Sequence, residues 1–330
     1  MNTKQSKNLK ILKFVIFILV AAGVLLVMTA CGSSADSLEF KLVFDEYYTV
    51  TGVKEDCPDN VIIPSRYDGL PVREIAPFVF SGRKNIKTVV IPDSVQIIEK
   101  RAFSGCTSLE KIKLGNNVKR IYSSAFYDCE NLKSITIPST TKDIEPSAFS
   151  GCNGLEKISV KRGNKVYSGK GNCLIEKKTK TLIAGGSKSK IPNDGSVTTI
   201  GEAAFSARNV KNVVVPDSVT LIKESAFAQC PVLETCILPD GCQIEQVVFF
   251  HCDSLKWVVI PTSITLIDHM CFSYCYSLES IFYKGTKQQW ENVTSYDTHD
   301  GKVYFYSEEK PTQNDGSYWR FDTNKNPVVW

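Results

Sequence analysis

Six cysteines, Cys106, Cys129, Cys152, Cys230, Cys252 and Cys275, each follow a phenylalanine by three residues. Thiols at a fixed spacing admit four chemistries: a disulfide, a metal ligand, a nucleophile or a small buried filler. The question is sharpest at His251-Cys252, His269, Cys271 and Cys275, which crowd into one stretch. Zinc would need four ligands converging on a point, and here the spacing follows the phenylalanines rather than a ligand pattern. A thiolate beside His251 or His269 would need an accessible, electropositive setting. Neighbouring coils could bring two sulfurs close, but a parallel stack seldom offers the disulfide dihedral. The expected arrangement is a column of small buried thiols making weak hydrogen bonds. Cys57, Cys173, Cys236, Cys242 and Cys271 lie off that column; Cys236 and Cys242 fall at inward apolar positions, and Cys271 replaces the alanine of an Ala-Phe pair. No G-x-S-x-G, H-E-x-x-H, phosphate loop or dinucleotide fingerprint is present. The glycines of "GKGNCL" and "AGGSKSK" open no helix, and His299 reads as an exposed loop histidine among Tyr296, Asp297 and Asp300. No catalytic residue, metal or cofactor is expected.

The elements that position the thiols follow from the phenylalanines. Phe80, Phe103, Phe126, Phe149, Phe205, Phe227, Phe249 and Phe272 are separated by 23, 23, 23, 56, 22, 22 and 23 residues. Such a period marks a repeat architecture. Residues 131–152, "NLKSITIPSTTKDIEPSAFSGC", display the unit. Leu132, Ile135 and Ile137 point inward and Ser134 and Thr136 outward, as in a short strand. Pro138 ends that strand. "STTKDI" turns and adds a second extended piece, and "EPSAF" forms a one-turn corner with Pro146 at its start. About six apolar side chains per unit cannot offset the entropy of ordering it alone, so units must stack and bury one another. The inward aliphatics of consecutive coils are expected to form one unbroken spine. Local departures are Arg83 at a cysteine position, Gly115 and Lys161 at proline positions, and single deletions before Val210 and near Cys242.

The pattern resembles the BspA-like leucine-rich repeats of bacterial surface proteins, through "TVVIPDSVQIIEKRAFSGC", "VVVPDSVTLIKESAFAQC" and "VVIPTSITLIDHMCFSYC". The resemblance covers roughly residues 40–330. It implies a β-rich solenoid of parallel short strands with a 23-residue period and one β-hairpin insertion. On this reading 40–80 is an N-terminal cap and 81–285 the solenoid. Residues 161–190 insert a hairpin from Cys173–Glu176 and Thr181–Ala184, and 286–330 form a C-terminal cap and aromatic tail.

Residues 1–30 read as an export leader: Lys4, Lys7, Lys10 and Lys13 precede the uncharged run Phe14 to Met28. Thr29-Ala30-Cys31 resembles a lipobox, implying lipidation of Cys31 with 31–39 as a linker; the alternative is an uncleaved signal anchor. Either places the remainder outside the cytoplasm. The formal charge of +4 equals the four leader lysines, so the remainder is neutral and gives no case for a nucleic-acid partner.

The outward strand positions should form the recognition face. They begin polar and basic, with Lys111, Lys113 and Lys157, and become apolar with Val214, Ile237, Val259 and Phe282 beside Trp257. Exposed together, these would mark a protein-binding site; alternatively Tyr318, Trp319, Phe321 and Trp330 fold back over them. Exposure of Trp257 with Phe282 favours binding, and coverage by the tail favours a spacer. The expected function is that of a surface lipoprotein that binds a protein or other cell-surface macromolecule in adhesion, without catalysis or a small-molecule substrate. A cell-envelope enzyme accessory and a non-binding spacer are the alternatives.

Overall fold

A computed structural model describes residues 34–296, 301–312 and 315–330. The leader, Cys31 and His299 lie outside the described residues. Among the described residues no helix is long and apolar enough to cross a membrane.

The chain winds as a solenoid. Each coil places a short strand on one face, the strand face, and a two-residue strand on a second face, then turns a corner at its phenylalanine. The strand face opens with five parallel strands, Asn60–Ile62, Thr88–Val90, Lys111–Lys113, Ser134–Ile137 and Lys157–Val160. Their register is one repeat per step, as in Ile135↔Ile158. The inward residues Leu132, Ile135 and Ile137 are buried, whereas Ser134 and Thr136 are exposed. Strand alternation therefore reads as the sequence implied.

The corner is tighter than a helical turn. The residue two before each phenylalanine is left-handed, from Arg101 (φ 55°) to Ser147 (φ 58°) and Met270 (φ 56°). So is the residue two after, from Gly105 (φ 72°) to Tyr274 (φ 62°). Ser147 thus breaks the helical continuation expected after Pro146. This geometry turns successive amides along the solenoid axis: Phe103 N–H donates to Ala125 O and Gly105 N–H to Tyr127 O, at 2.8 and 2.7 Å. The phenylalanine rings stack nearly parallel, with centroids 4.8–5.6 Å apart from Phe80 to Phe149. They stack again at 5.2–5.8 Å from Phe205 to Phe272.

Beside that stack run the thiols. All six repeat cysteines are buried and unpaired, and each Sγ donates to the carbonyl of the previous coil's phenylalanine. The distances are uniform, from 3.0 Å for Cys152 to Phe126 O to 3.2 Å for Cys129 to Phe103 O. The thiol is therefore both filler and donor. Burial pushes Cys106 up to about 12 and Cys173 to about 11, away from thiolate character. At Cys152 burial pushes upward as elsewhere, but the neighbouring Cys129 thiol and the Arg208 charge pull the other way and lower it.

Neither the spine nor the thiol column is unbroken. Within the coils the buried apolar residues fall into two large clusters that meet at the insertion, and a small third cluster lies under the C-terminal strands. Its antiparallel strands Cys173–Glu176 and Thr181–Gly185, joined by a third strand Tyr167–Lys170, form a wall between them. Leu174 and Ala184 face the first cluster, while Cys173, Ile175 and Leu182 face the second. The wall replaces one coil on the second face, where Thr181–Gly185 pairs in parallel with Thr199–Ile200. It supplies no strand to the strand face, so that sheet stops at Lys157–Val160 and a separate sheet begins at Asn212–Val214.

Candidate binding surface

The second sheet carries most of the apolar residues expected to be exposed. It continues from Asn212–Val214 through Thr235–Ile237, Trp257–Ile260 and Ser280–Tyr283 into the C-terminal strands Lys302–Tyr306, Tyr318–Phe321 and Pro327–Val329. Val214 is 67% exposed, whereas Ile237 and Trp257 are half-buried. Val259 and Phe282 are not exposed: they stand at 0% and 5% and pack against Trp319. The tail folds back because Trp319 finds both an apolar seat and a hydrogen bond there. Its Nε1–H donates to Tyr283 O at 2.9 Å, and its ring lies 5.3 Å from that of Phe282. Aromatic rings with one polar edge satisfy both needs at once. Trp257 sits at the border of this cover, edge-on to Phe282 at 6.0 Å. The expected apolar column is thus cut in two, with its C-terminal half sealed.

On the first sheet Lys111, Lys113 and Lys157 are exposed. They flank Ser134 and Thr136, giving a polar, basic span. Lys157 lies beside the insertion, whose Ser187 N–H donates to Leu155 O at 2.7 Å.

The His/Cys cluster does not converge. Cys252, Cys271 and Cys275 point into the core, whereas His251 and His269 are exposed outside. The His251 Nδ1 pairs with Asp253 Oδ1 at 2.7 Å, and the His269 ring stacks on Tyr296. Among the described residues no three of His, Cys, Asp and Glu come together as a metal site would require.

Two arginines at cysteine positions were legible only as irregularities. Arg83 opens the thiol column and donates to Val53 O at the end of the strand Tyr47–Val53. Arg208, three residues after Phe205, occupies the place that the deletion before Val210 leaves without a cysteine. It is fully buried and donates through Nε to Gly185 O at 2.9 Å and through a terminal nitrogen to Phe149 O at 2.5 Å. Phe149 O is the acceptor that the next coil's thiol would take. The longer guanidinium spans the insertion where a thiol would fall short. With Gly151 N–H to Ser206 O at 3.4 Å, it keeps the coils joined at the corner while the strand face stands apart.

Known proteins share this architecture. The model of the BspA type leucine rich repeat region matches six copies, over residues 73–194 and 184–297. A leucine-rich repeat protein from Eubacterium ventriosum superposes with a TM-score of 0.57 at 18% identity, covering 81% of this chain and 84% of its own. The pneumococcal vaccine antigen PcpA gives 0.54 at 17% identity, covering 83% and 93%. A leucine rich cell surface protein from Faecalibacterium prausnitzii is 23% identical over 82% of this chain and 99% of its own, with a TM-score of 0.42. No curated protein matches the chain. The 23-residue coil, its phenylalanine corner and the matched repeats lead to one conclusion: the chain belongs to the BspA-type leucine-rich repeat family.

Proposed function

We propose that this protein is an exported, lipid-anchored surface protein that binds a protein partner across its strand face and performs no reaction. The observation that carries this reading is the limit of the tail's cover. Trp319 seals Val259 and Phe282, yet Lys111, Lys113, Lys157 and Val214 stand exposed and Trp257 and Ile237 half-exposed. Tail coverage favours a spacer, and here it takes Phe282 but leaves Trp257 half-exposed; the basic span on the first sheet and the uncovered part of the second support recognition. Anchoring through Cys31 rests on the leader, where the lysines, apolar run and Thr-Ala-Cys follow in order. Adhesion follows from the family's resemblance to bacterial surface proteins, with the solenoid acting as a rigid display.

The test uses cells displaying the full chain, presented with purified host matrix and bacterial envelope proteins. Wild type retains at least one partner. A Lys111→Glu, Lys113→Glu, Trp257→Asp variant loses retention tenfold or more, while Glu224→Lys, away from the strand face, does not. Equal retention by wild type and triple variant removes the proposed face.

A further inference from the structure

The break in the strand face leaves two sheet edges, and only one is covered. At Lys157–Val160 the insertion lies close: a Cβ on Gly169 would stand 3.1 Å from Val160 N, and one on Gly186 2.6 Å from Leu155 O. At Asn212–Val214 no strand follows on the outer side. Instead a cleft of about 320 Å³ runs along it, with Asn212, Val213 and Val214 on one wall and Ser189, Lys190 and Ile191 on the other.

The unpaired groups can be assigned by parity. Lys211 O accepts from Glu234 N–H at 2.8 Å and Val215 N–H donates to Ile237 O at 3.0 Å, so residues 211, 213 and 215 bond the inner neighbour. In a parallel ladder the alternate residues turn their N–H and C=O the other way. Asn212 and Val214 therefore present their main-chain donors and acceptors to the cleft. Open edges of this kind are usually blunted, and here one side of the break is covered by the insertion while this side is not.

We infer that this edge is a docking site for an extended peptide segment of another protein, added as one further strand beside Asn212–Val214. Alternating main-chain donors and acceptors along an edge match another backbone, which a sugar or a nucleic acid cannot reproduce. Charge narrows the occupant. Lys190 on the facing wall forms no ion pair among the described residues, and Lys211 at the mouth shares Glu234 with Lys256. Ile191 and the exposed Val214 offer apolar contact. The segment is accordingly apolar at alternate positions and carries a carboxylate towards Lys190. This site shares only Val214 with the broad face: its main determinants are main-chain groups at an edge rather than side chains on the face.

The probe is a displayed library of random linear dodecapeptides selected on the purified full chain, compared with Val214→Pro and Lys190→Glu. Proline at 214 deletes an edge donor and leaves the inner ladder intact, as edge strands allow; circular dichroism and melting confirm its fold. The expected result is enrichment of alternating apolar sequences with an acidic residue. Affinity should fall tenfold or more for each variant, and amide exchange at Asn212 and Val214 should slow when a selected peptide binds. Enrichment unchanged by Val214→Pro, or no enrichment above that variant, overturns the proposal. So does sedimentation showing a dimer that Val214→Pro dissolves, since the edge would then belong to a second copy. Failure of the triple face variant to lose partners leaves these readouts unaffected, so the two readings fail separately.

Discussion

At the residue scale the column beside the phenylalanines is a chain of side-chain donors, each thiol reaching one coil back. Six thiols and two arginines occupy it, and the choice follows distance. Where coils stack directly, a thiol reaches the carbonyl at 3.0–3.2 Å. Where the insertion intervenes, Arg208 reaches Phe149 O and also serves Gly185 O. Burial pulls its guanidinium below the usual arginine range, but the carbonyls around it stabilise the cation. Replacing Arg208 with Met would remove its bonds to Gly185 O, Ser206 O and Phe149 O, leaving Phe149 O with only the long bond from Cys152 N–H at 3.3 Å. Each such loss costs about 1–3 kcal/mol, so R208M should lower stability by roughly 3 kcal/mol in urea unfolding, and Arg208→Lys should recover little because a compact ammonium cannot fork between two acceptors. A variant within half a kcal/mol of wild type would show that the coils hold without this link. The thiol ladder was readable from the spacing, because a fixed interval from a core phenylalanine leaves only one environment. The role of Arg208 was hidden: a deletion and an insertion had to be combined before its position matched the column.

At the element scale the strands and the hairpin were legible because alternation and Pro-terminated runs have few structural solutions. The fate of the tail was not. Tyr318, Trp319, Phe321 and Trp330 show no repeat phase, and nothing in their order tells an added strand from a free end. Tertiary pairing decides it: Phe305 N–H donates to Ser317 O and Ser307 N–H to Trp319 O, which fastens Tyr318–Phe321 to the sheet. The tail is then a sealing element, and Trp319 is its anchor. Removing a buried aromatic costs about 3–5 kcal/mol, so W319A should destabilise by that order and bare Phe282. The expected signature is a gain in binding of an apolar dye and a shift in Trp257 emission. Unchanged dye binding would mean that the remaining tail rings close the gap.

For the whole molecule, buried neutral thiols tie stability to alkaline pH. Burial raises Cys106 and Cys242 to about 12 and Cys173 to about 11. In the unfolded chain these thiols ionise near pH 9, whereas the folded chain keeps them protonated. The folded state thus holds more protons between those values. The stabilisation is complete below about pH 9 and is lost as pH rises through the folded values, at up to about 1.4 kcal/mol per pH unit per thiol. Urea midpoints should fall steeply between pH 9 and 11, and Cys106→Ala should lessen that slope although it lowers stability at pH 7. A flat profile over this range would contradict thiol burial. The period of the repeat made the solenoid readable along its whole length. It did not reveal the division into two cores, because a 56-residue interval gives the length of an interruption without saying which side of the wall it fills.

That division has a further consequence. The hairpin gives one flank to each cluster, so each half of the molecule ends on a ready-made lid rather than on raw repeat. Coils could be gained or lost on either side without reshaping the junction, and the gap beside Asn212–Val214 would travel with it unchanged. The protein can be viewed as two short spools spliced at Arg208, whose lengths are free to vary while the splice keeps its form.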